Sequence, residues 1–296
     1  MNLITRMTQT VWRQKARSIV CPPEPRLDGK VAMVTGGSSG IGRSTCEGLL
    51  QRGARVIFVS RNRDRGKKAC EELGVQGDAS FLPIDLSDLA SVREGMEALP
   101  RLLVEDPVDV LICNAGMWPK RHVCSPQGHE IAFATNLLGH VQLLRCAMDG
   151  LLAPEARVVL LGGDIYCFAR DCTPDYHYRT PLGGAMAYCR SKLGVHWLAH
   201  ELQRRHPALH VIVVHPGVVA SGLVSEARMV KTVSSWTSLD PDRGAQTTLY
   251  AATQEGLPKN AYLHNTIGVV DLDTNDPAKN SAKAEELWSL CESLCV

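Results

Sequence analysis

From residue 28 onward the chain alternates short β-branched runs with longer amphipathic stretches, and this alternation restricts the fold more than any other feature. The runs are Val31–Thr35, Arg55–Ser60, Ser80–Ile84, Val108–Cys113, Arg157–Leu161, Val211–His215 and a stretch near Tyr262–Val270. Helical periodicity fills the intervals near 41–52, 64–73, 87–104, 128–150, 184–205, 242–254 and 279–293. Strand, helix and strand in succession make a parallel crossover, so the series predicts an α/β fold with one doubly wound parallel sheet and helices on both faces. Val108-Asp109-Val110-Leu111-Ile112 and Val211-Ile212-Val213-Val214 are nearly continuous in apolar character, as strands covered on both sides are.

The turn after the first run carries the strongest ligand signal. Strand residues Lys30–Val34 lead into Thr35-Gly36-Gly37-Ser38-Ser39-Gly40-Ile41-Gly42 and then a helix. Glycines there let the backbone approach a pyrophosphate, while helix N–H groups and the helix dipole hold its charge. Strand, glycine turn and helix together predict a Rossmann-type dinucleotide site that includes Gly36, Ser38, Ser39, Gly40, Ile41 and Gly42.

The end of the second run indicates which dinucleotide. NAD sites place a carboxylate there for the ribose hydroxyls, but this chain reads Ser60-Arg61-Asn62-Arg63. A hydroxyl followed by a guanidinium suits a 2′-phosphate, so NADP(H) is expected rather than NAD(H), with Arg61 and Arg43 as cations. Asp85 and Leu86, after the third run, are placed to meet the adenine.

Tyr188 and Lys192 are four residues apart in Tyr188-Cys189-Arg190-Ser191-Lys192 and share one helix face. A neighbouring ammonium, together with the positive nicotinamide of an oxidised cofactor, favours the phenolate and is expected to lower the tyrosine pKa from its usual value of about 10. This pair predicts acid–base catalysis.

At these residues the chain resembles the short-chain dehydrogenase/reductase superfamily. The resemblance spans about residues 28–296 and rests on Thr35–Gly42, Cys113-Asn114-Ala115-Gly116, Asn136, Tyr188 with Lys192, and Pro216-Gly217. It implies that Asn114, Ala115 and Gly116 stabilise the sheet beside the adenosine pocket. It implies that Asn136 holds a water linking Lys192 to solvent, and that Pro216, Gly217 and Val218 border the nicotinamide. Segment 164–183, Gly244-Ala245-Gln246-Thr247 and the final Glu286-Leu287-Trp288 helix look closest to the retinol-dehydrogenase-like branch. That branch implies a lipophilic alcohol–carbonyl substrate, and the family implies a homodimer or a monomer. Ser221–Trp236 is a candidate lid or a packed surface helix.

One departure is serious. Where the family ends its fifth strand in a serine pair, this chain reads Leu161-Gly162-Gly163-Asp164, which puts Gly163 at the catalytic serine. Losing such a donor costs roughly 10²–10³ in rate by analogy with an oxyanion hole. A water, Asp164, Tyr166 or Thr180 is a candidate substitute. Two readings follow: an NADP(H)-dependent oxidoreductase, or a catalytically impaired NADP(H)-binding protein with a regulatory or structural role.

Composition closes off other classes. The 32 basic and 31 acidic side chains give a net charge of +1. Residues 1–23 hold Arg6, Arg13, Lys15 and Arg17 and no acid, so the rest carries 28 basic and 31 acidic groups, a net of −3. A mildly acidic body argues against nucleic-acid binding. Residues 1–26 are expected to form a basic arm before a single domain, 27–296. The arm reads as a mitochondrial presequence, a surface-lying amphipathic helix with peripheral membrane contact through residues 1–20, or a solvated leader. No stretch of apolar residues is long enough for a transmembrane helix. The 11 cysteines sit mostly in apolar periodic segments, which fits an intracellular protein, cytoplasmic or mitochondrial and not secreted. No metal site is expected: His196 and His200 lack a third ligand and read as helix-surface residues.

Overall fold

The computed structural model describes residues 12–220 and 238–295, so the candidate lid Ser221–Trp236 and residues 1–11 lie outside the described residues. Eight strands form one sheet: β1 (Val31–Thr35), β2 (Arg55–Ser60), β3 (Ala79–Pro83), β4 (Val108–Cys113), β5 (Leu152–Leu161), β6 (His210–His215), β7 (Ala261–His264) and β8 (Gly268–Val270). Their order is β3-β2-β1-β4-β5-β6-β7-β8. Pairings are parallel through β7, and β8 alone runs antiparallel. The expected single run near Tyr262–Val270 is therefore a hairpin, folded back at the turn before Gly268.

Alternate strand residues face two cores. Val31, Met33, Ile57 and Val59 pack beneath α3 (Leu89–Ala98), α4 (131–148), α5 (Gly183–Arg205) and α7 (Ser281–Leu294). Ala32, Val34, Val56 and Phe58 pack beneath α1 (Gly40–Gln51), α2 (Arg63–Gly74) and α6 (Pro241–Thr253). Burial on both faces explains why the strands read as continuous apolar runs. Helix α4 joins Ile131–Phe133, a π-helical stretch Ala134–Leu138, and Gly139–Met148. A π-turn widens the helix by one residue, and here it contains Asn136.

Chain order reverses between β1 and β4, so their C-terminal ends part and open a crevice, as at the switch point of doubly wound sheets. All eleven cysteines are unpaired. Residues 12–26, part of the stretch expected to be a leader or a surface helix, lie against the domain. Ile19 N–H donates to Asn265 O at 2.6 Å, Cys21 N–H to Gln246 Oε1 at 2.9 Å, and Arg52 Nη2 to Pro22 O at 2.6 Å.

Candidate active site

The crevice at the switch point holds two adjoining clefts. One, of about 590 Å³, is lined by Gly36, Ser39, Gly40, Ile41, Gly42, Arg61, Arg65, Asn114, Ala115, Gly116, Tyr188, Lys192 and Pro216, among others. The second, of about 620 Å³, shares Gly36, Ser39, Arg61, Arg65, Ala115 and Gly116 and extends to Ser38, Ser60, Asp85 and Leu86. Most of the sequence-predicted residues are thus brought to one place.

Thr35 ties this place together. Its Oγ1 accepts the N–H groups of Asn114 and Ala115, each at 2.9 Å, and Asn114 Nδ2 donates to Thr35 O at 2.7 Å. The Asn114-Ala115-Gly116 turn is thereby fixed across the gap between β1 and β4. Beside it, Ser39 caps α1 without a side-chain hydrogen bond, and the first turn has no acidic residue. The helix N–H groups remain directed at the cleft, and a Cβ on Gly40 would meet no atom within 4 Å. Open donors, a helix dipole and room at Gly40 fit a pyrophosphate.

The cations sort differently from the sequence expectation. Arg43 is turned to carboxylates, with Nε donating to Glu47 at 3.0 Å and Nη1 pairing with Glu72, and it lines neither cleft. Both carboxylates engage its charge. Arg61 and Arg65 line both clefts instead, and Arg61 Nε stands 3.9 Å from Asp85 Oδ2. Asn62 Oδ1 accepts Arg65 N–H at 2.8 Å, capping α2 and placing Arg65 in its first turn. The sequence signal for Arg65 was that Asn cap three residues earlier. Ser38 and Ser60 share a hydroxyl–hydroxyl bond of 2.8 Å. Asp85 Oδ1 accepts from Ser87 N and Oγ at 2.9 and 2.7 Å.

Tyr188 and Lys192 lie on the same face of α5, and both line the first cleft. Lys192 Nζ donates to Leu161 O at 2.6 Å and sits 5.5 Å from the centroid of the Tyr188 ring. Burial pulls the Lys192 pKa down to about 8. Burial also pushes the Tyr188 phenol up to about 12, with Cys189 adding to the rise. Desolvation of the phenolate sets this direction; the lowering expected from Lys192 acting with an oxidised nicotinamide is a property of the loaded site. Trp118 stacks on Tyr188 at 4.8 Å, which dries one face of the phenol.

Asn136 is a positioning residue. Its Oδ1 accepts Met117 N–H at 2.7 Å, and its Nδ2 donates to Met117 O at 3.0 Å and Ser191 Oγ at 2.9 Å. The amide clamps the Met117 backbone and the Ser191 hydroxyl. Pro216 borders the cleft, whereas Gly217 and Val218 line neither cleft.

The serine position is more altered than the sequence suggests. Gly163 has φ 150° and ψ 142°, a conformation essentially confined to glycine. A Cβ there would have one neighbour within 4 Å, His215 Nδ1 at 3.6 Å. The other candidate substitutes are directed elsewhere. Tyr166 Oη donates to Asp276 at 2.8 Å, and Thr180 is exposed before α5. Asp164 accepts from Tyr262 Oη at 2.7 Å and His264 Nε2 at 3.2 Å.

Asp164, His215 and His264 are buried, with ligand atoms within 4.8 Å of one another, a group with metal-site composition that the sequence reading missed. Backbone donors decide its state. Thr266 N–H points at His264 Nδ1 at 3.2 Å, which leaves the ring proton on Nε2, facing Asp164. Asp164 N–H likewise points at His215 Nδ1 at 3.4 Å. A protonated Nε2 cannot ligate an ion, so the cluster is a hydrogen-bond network at the end of β5. His196, expected on a helix surface, is buried beside it, 4.2 Å from the Tyr166 ring and 4.8 Å from Tyr262.

Known proteins resemble this chain in sequence and in fold. The family model for short chain dehydrogenases matches residues 30–165. Human retinol dehydrogenase 12 is 32% identical over 290 residues, covering 94% of this chain and 90% of that protein. Mouse retinol dehydrogenase 14 is 34% identical over 248 residues, covering 76% and 74%. Among solved structures, an uncharacterized protein from Mycobacterium Paratuberculosis superposes with a TM-score of 0.73 at 28% identity, covering 92% of this chain and 95% of that one. The angucycline C-6 ketoreductase LanV with bound NADP gives 0.68 at 23% identity, covering 82% and 96%, a likeness of fold. With the glycine turn, the Asn114 turn and the Tyr188–Lys192 pair converging on one crevice, and relatives matched along most of its length, the chain belongs to the short-chain dehydrogenase/reductase family, on its retinol-dehydrogenase-like branch.

Proposed function

We propose that the protein is an NADP(H)-dependent oxidoreductase that interconverts an alcohol and a carbonyl on a lipophilic body. The observation that carries this reading is the shared cleft: Tyr188 and Lys192 line the same wall space as the glycine turn, Arg61 and Arg65. The names of the retinol dehydrogenase relatives support a retinoid-like substrate. NADP(H) over NAD(H) rests on two guanidiniums and the Ser38–Ser60 hydroxyls where an NAD site presents a carboxylate.

When bound, the dinucleotide gives a hydride to the carbonyl carbon or takes one from the alcohol. In reduction Tyr188, protonated in its buried setting, donates its proton to the substrate oxygen and is reprotonated from solvent; in oxidation it must first lose that proton to solvent, and the phenolate then takes the alcohol's proton. Lys192 supplies a positive charge beside the phenol, and its bond to Leu161 O fixes its position. Asn136 locks the Met117 backbone and with it the neighbouring Trp118, the flat wall over Tyr188. Gly163 supplies no side chain, and the imidazole of His215 borders the space a serine would fill.

The test is NADPH oxidation against retinals, alkanals, steroids and quinones, comparing wild type with Tyr188→Phe. Turnover lost in Tyr188→Phe supports the reading, and no carbonyl-dependent oxidation by wild type overturns it. Gly163 favours the second reading, a nucleotide-binding protein with impaired catalysis; tight NADPH binding without turnover on any carbonyl would select it.

Residues 12–20 add a peripheral lipid contact to this reading. Trp12 and Val20 are exposed, at 79% and 77%, beside the exposed Arg13, Lys15 and Arg17. Co-sedimentation with anionic vesicles, lost in Trp12→Ala, checks it. Among the described residues no helix is long and apolar enough to cross a membrane.

A further inference from the structure

Gln14 is fully buried although it belongs to a basic, largely exposed segment. A buried amide must spend both its donor and its acceptor. Gln14 spends them on one residue 204 positions away. Its Nε2 donates to Val218 O at 3.1 Å, and its Oε1 accepts Val218 N–H at 3.0 Å. The side chain thus pairs with the loop after β6 as a neighbouring strand would. On the other side, Leu239 N–H donates to the same Val218 carbonyl at 2.9 Å. The loop is held between the two.

The contact is close enough to dictate sequence. Gly217 has φ 89°, and a Cβ on it would fall 2.7 Å from Gln14 Oε1 and 2.4 Å from Asn265 Nδ2. Asn265 in turn accepts Ile19 N–H through its carbonyl at 2.6 Å and donates its own N–H to His215 O at 3.1 Å. Arg243 Nη1 adds a bond to Lys15 O at 2.9 Å. The N-terminal segment, the end of β6, the end of β7 and the start of α6 therefore meet at Gly217. The residue just before it, Pro216, lines the cleft with Tyr188 and Lys192.

We propose that residues 12–21 form a strap that sets the Pro216–Val218 loop against the nicotinamide half of the dinucleotide, with Gln14 as the positioning residue. This rests on the reading that the cleft binds NADP(H). Among the described residues the strap bears on the cleft through the loop after Pro216, at the catalytic end, without itself lining it. The adenosine-phosphate end is built by Ser38, Ser60, Arg61 and Arg65, none of which it touches in the bonds above. The two halves of the ligand should therefore respond differently to its loss.

The experiment measures dissociation constants of NADPH and of 2′,5′-ADP, the adenosine-phosphate half alone, for full-length wild type, Gln14→Ala, Gln14→Glu and Gly217→Ala. Gln14→Glu keeps the volume and removes the donor, and Gly217→Ala pushes on the same contact from the loop side. The expected result is NADPH affinity reduced about tenfold, or ~1.4 kcal/mol, with 2′,5′-ADP affinity unchanged. Unchanged 2′,5′-ADP binding also certifies that each variant is folded. NADPH affinity that stays at the wild-type value overturns the inference, as does an equal loss for both ligands, which would mark a general structural role. Wild type binding neither ligand overturns the cofactor reading, and the strap's role with it.

Discussion

The indole of Trp118 lies on the phenol ring of Tyr188, with centroids 4.8 Å apart and planes inclined by 15°. The stack covers one ring face of the proposed acid and shares in the burial that pushes its pKa up to about 12. Trp118→Ala is expected to let water reach the phenol and bring its pKa back toward the ordinary value of about 10. Spectrophotometric titration of the phenolate, taken as the difference from a Trp118→Ala/Tyr188→Phe double variant, reads this directly. A phenol that still titrates near 12 without the indole would place the desolvation elsewhere.

The pH dependence of reduction should come from Lys192, not from Tyr188. Burial lowers the lysine to about 8, so its ammonium is complete below that pH and is lost as pH rises through it. Tyr188 stays protonated well beyond this point and contributes no limb near neutrality. The expected profile of kcat/KM for carbonyl reduction is flat at neutral pH and falls above about pH 8 as one group deprotonates. Lys192→Arg keeps the charge and should remove that alkaline fall, whatever its effect on the absolute rate. The same fall at pH 8 in the arginine variant would assign it to another group.

Strands and the glycine turn were legible because each is a local pattern: β-branched runs buried on both faces, and glycines between strand and helix. The site was legible as far as residue type decides it. What stayed hidden depends on direction. Arg43 and Arg65 are equally basic in sequence, but only the fold turns one to Glu47 and Glu72 and the other into the cleft. The clamp of Asn136 on Met117 was not legible, because it depends on a π-turn that holds the amide within reach of that backbone. Gln14 lies in an arm that reads as a presequence, a surface helix or a solvated leader, since a buried amide has no signature until its distant partner is known. Asp164, His215 and His264 come from three strand ends, and no sequence spacing unites them.

Arg65 supplies the next test. If Arg61 and Arg65 both face the 2′-phosphate, removing either should weaken NADP⁺ and spare NAD⁺, which lacks that group. A lost charge-assisted contact is worth roughly 1.5–3 kcal/mol, or about ten- to a hundredfold in affinity. Arg43→Ala should change the two affinities equally little. Titration of each variant with both cofactors decides the matter: a selective loss of NADP⁺ binding in Arg43→Ala, with none in Arg65→Ala, would restore the assignment read from sequence.

Gly163 sets the last prediction, because restoring the family's serine is not a simple gain of a hydroxyl. At φ 150° an L side chain is strained whatever space surrounds it, and the strain is of order 1–3 kcal/mol. Gly163→Ser and Gly163→Ala should therefore lower stability by similar amounts, seen as equal shifts of the denaturant midpoint at unchanged slope. Any rate gained by the serine must come after the backbone has relaxed away from His215 and Asp164, whose N–H and side chain hold the end of β5. His215→Ala probes the other side of the same space. If the imidazole does part of the serine's work, this variant should lose turnover by roughly 10²-fold with little change in cofactor affinity, and added imidazole should return a share of it. A His215→Ala protein with wild-type kcat, measured on the same carbonyl, would show that the imidazole does none of the serine's work.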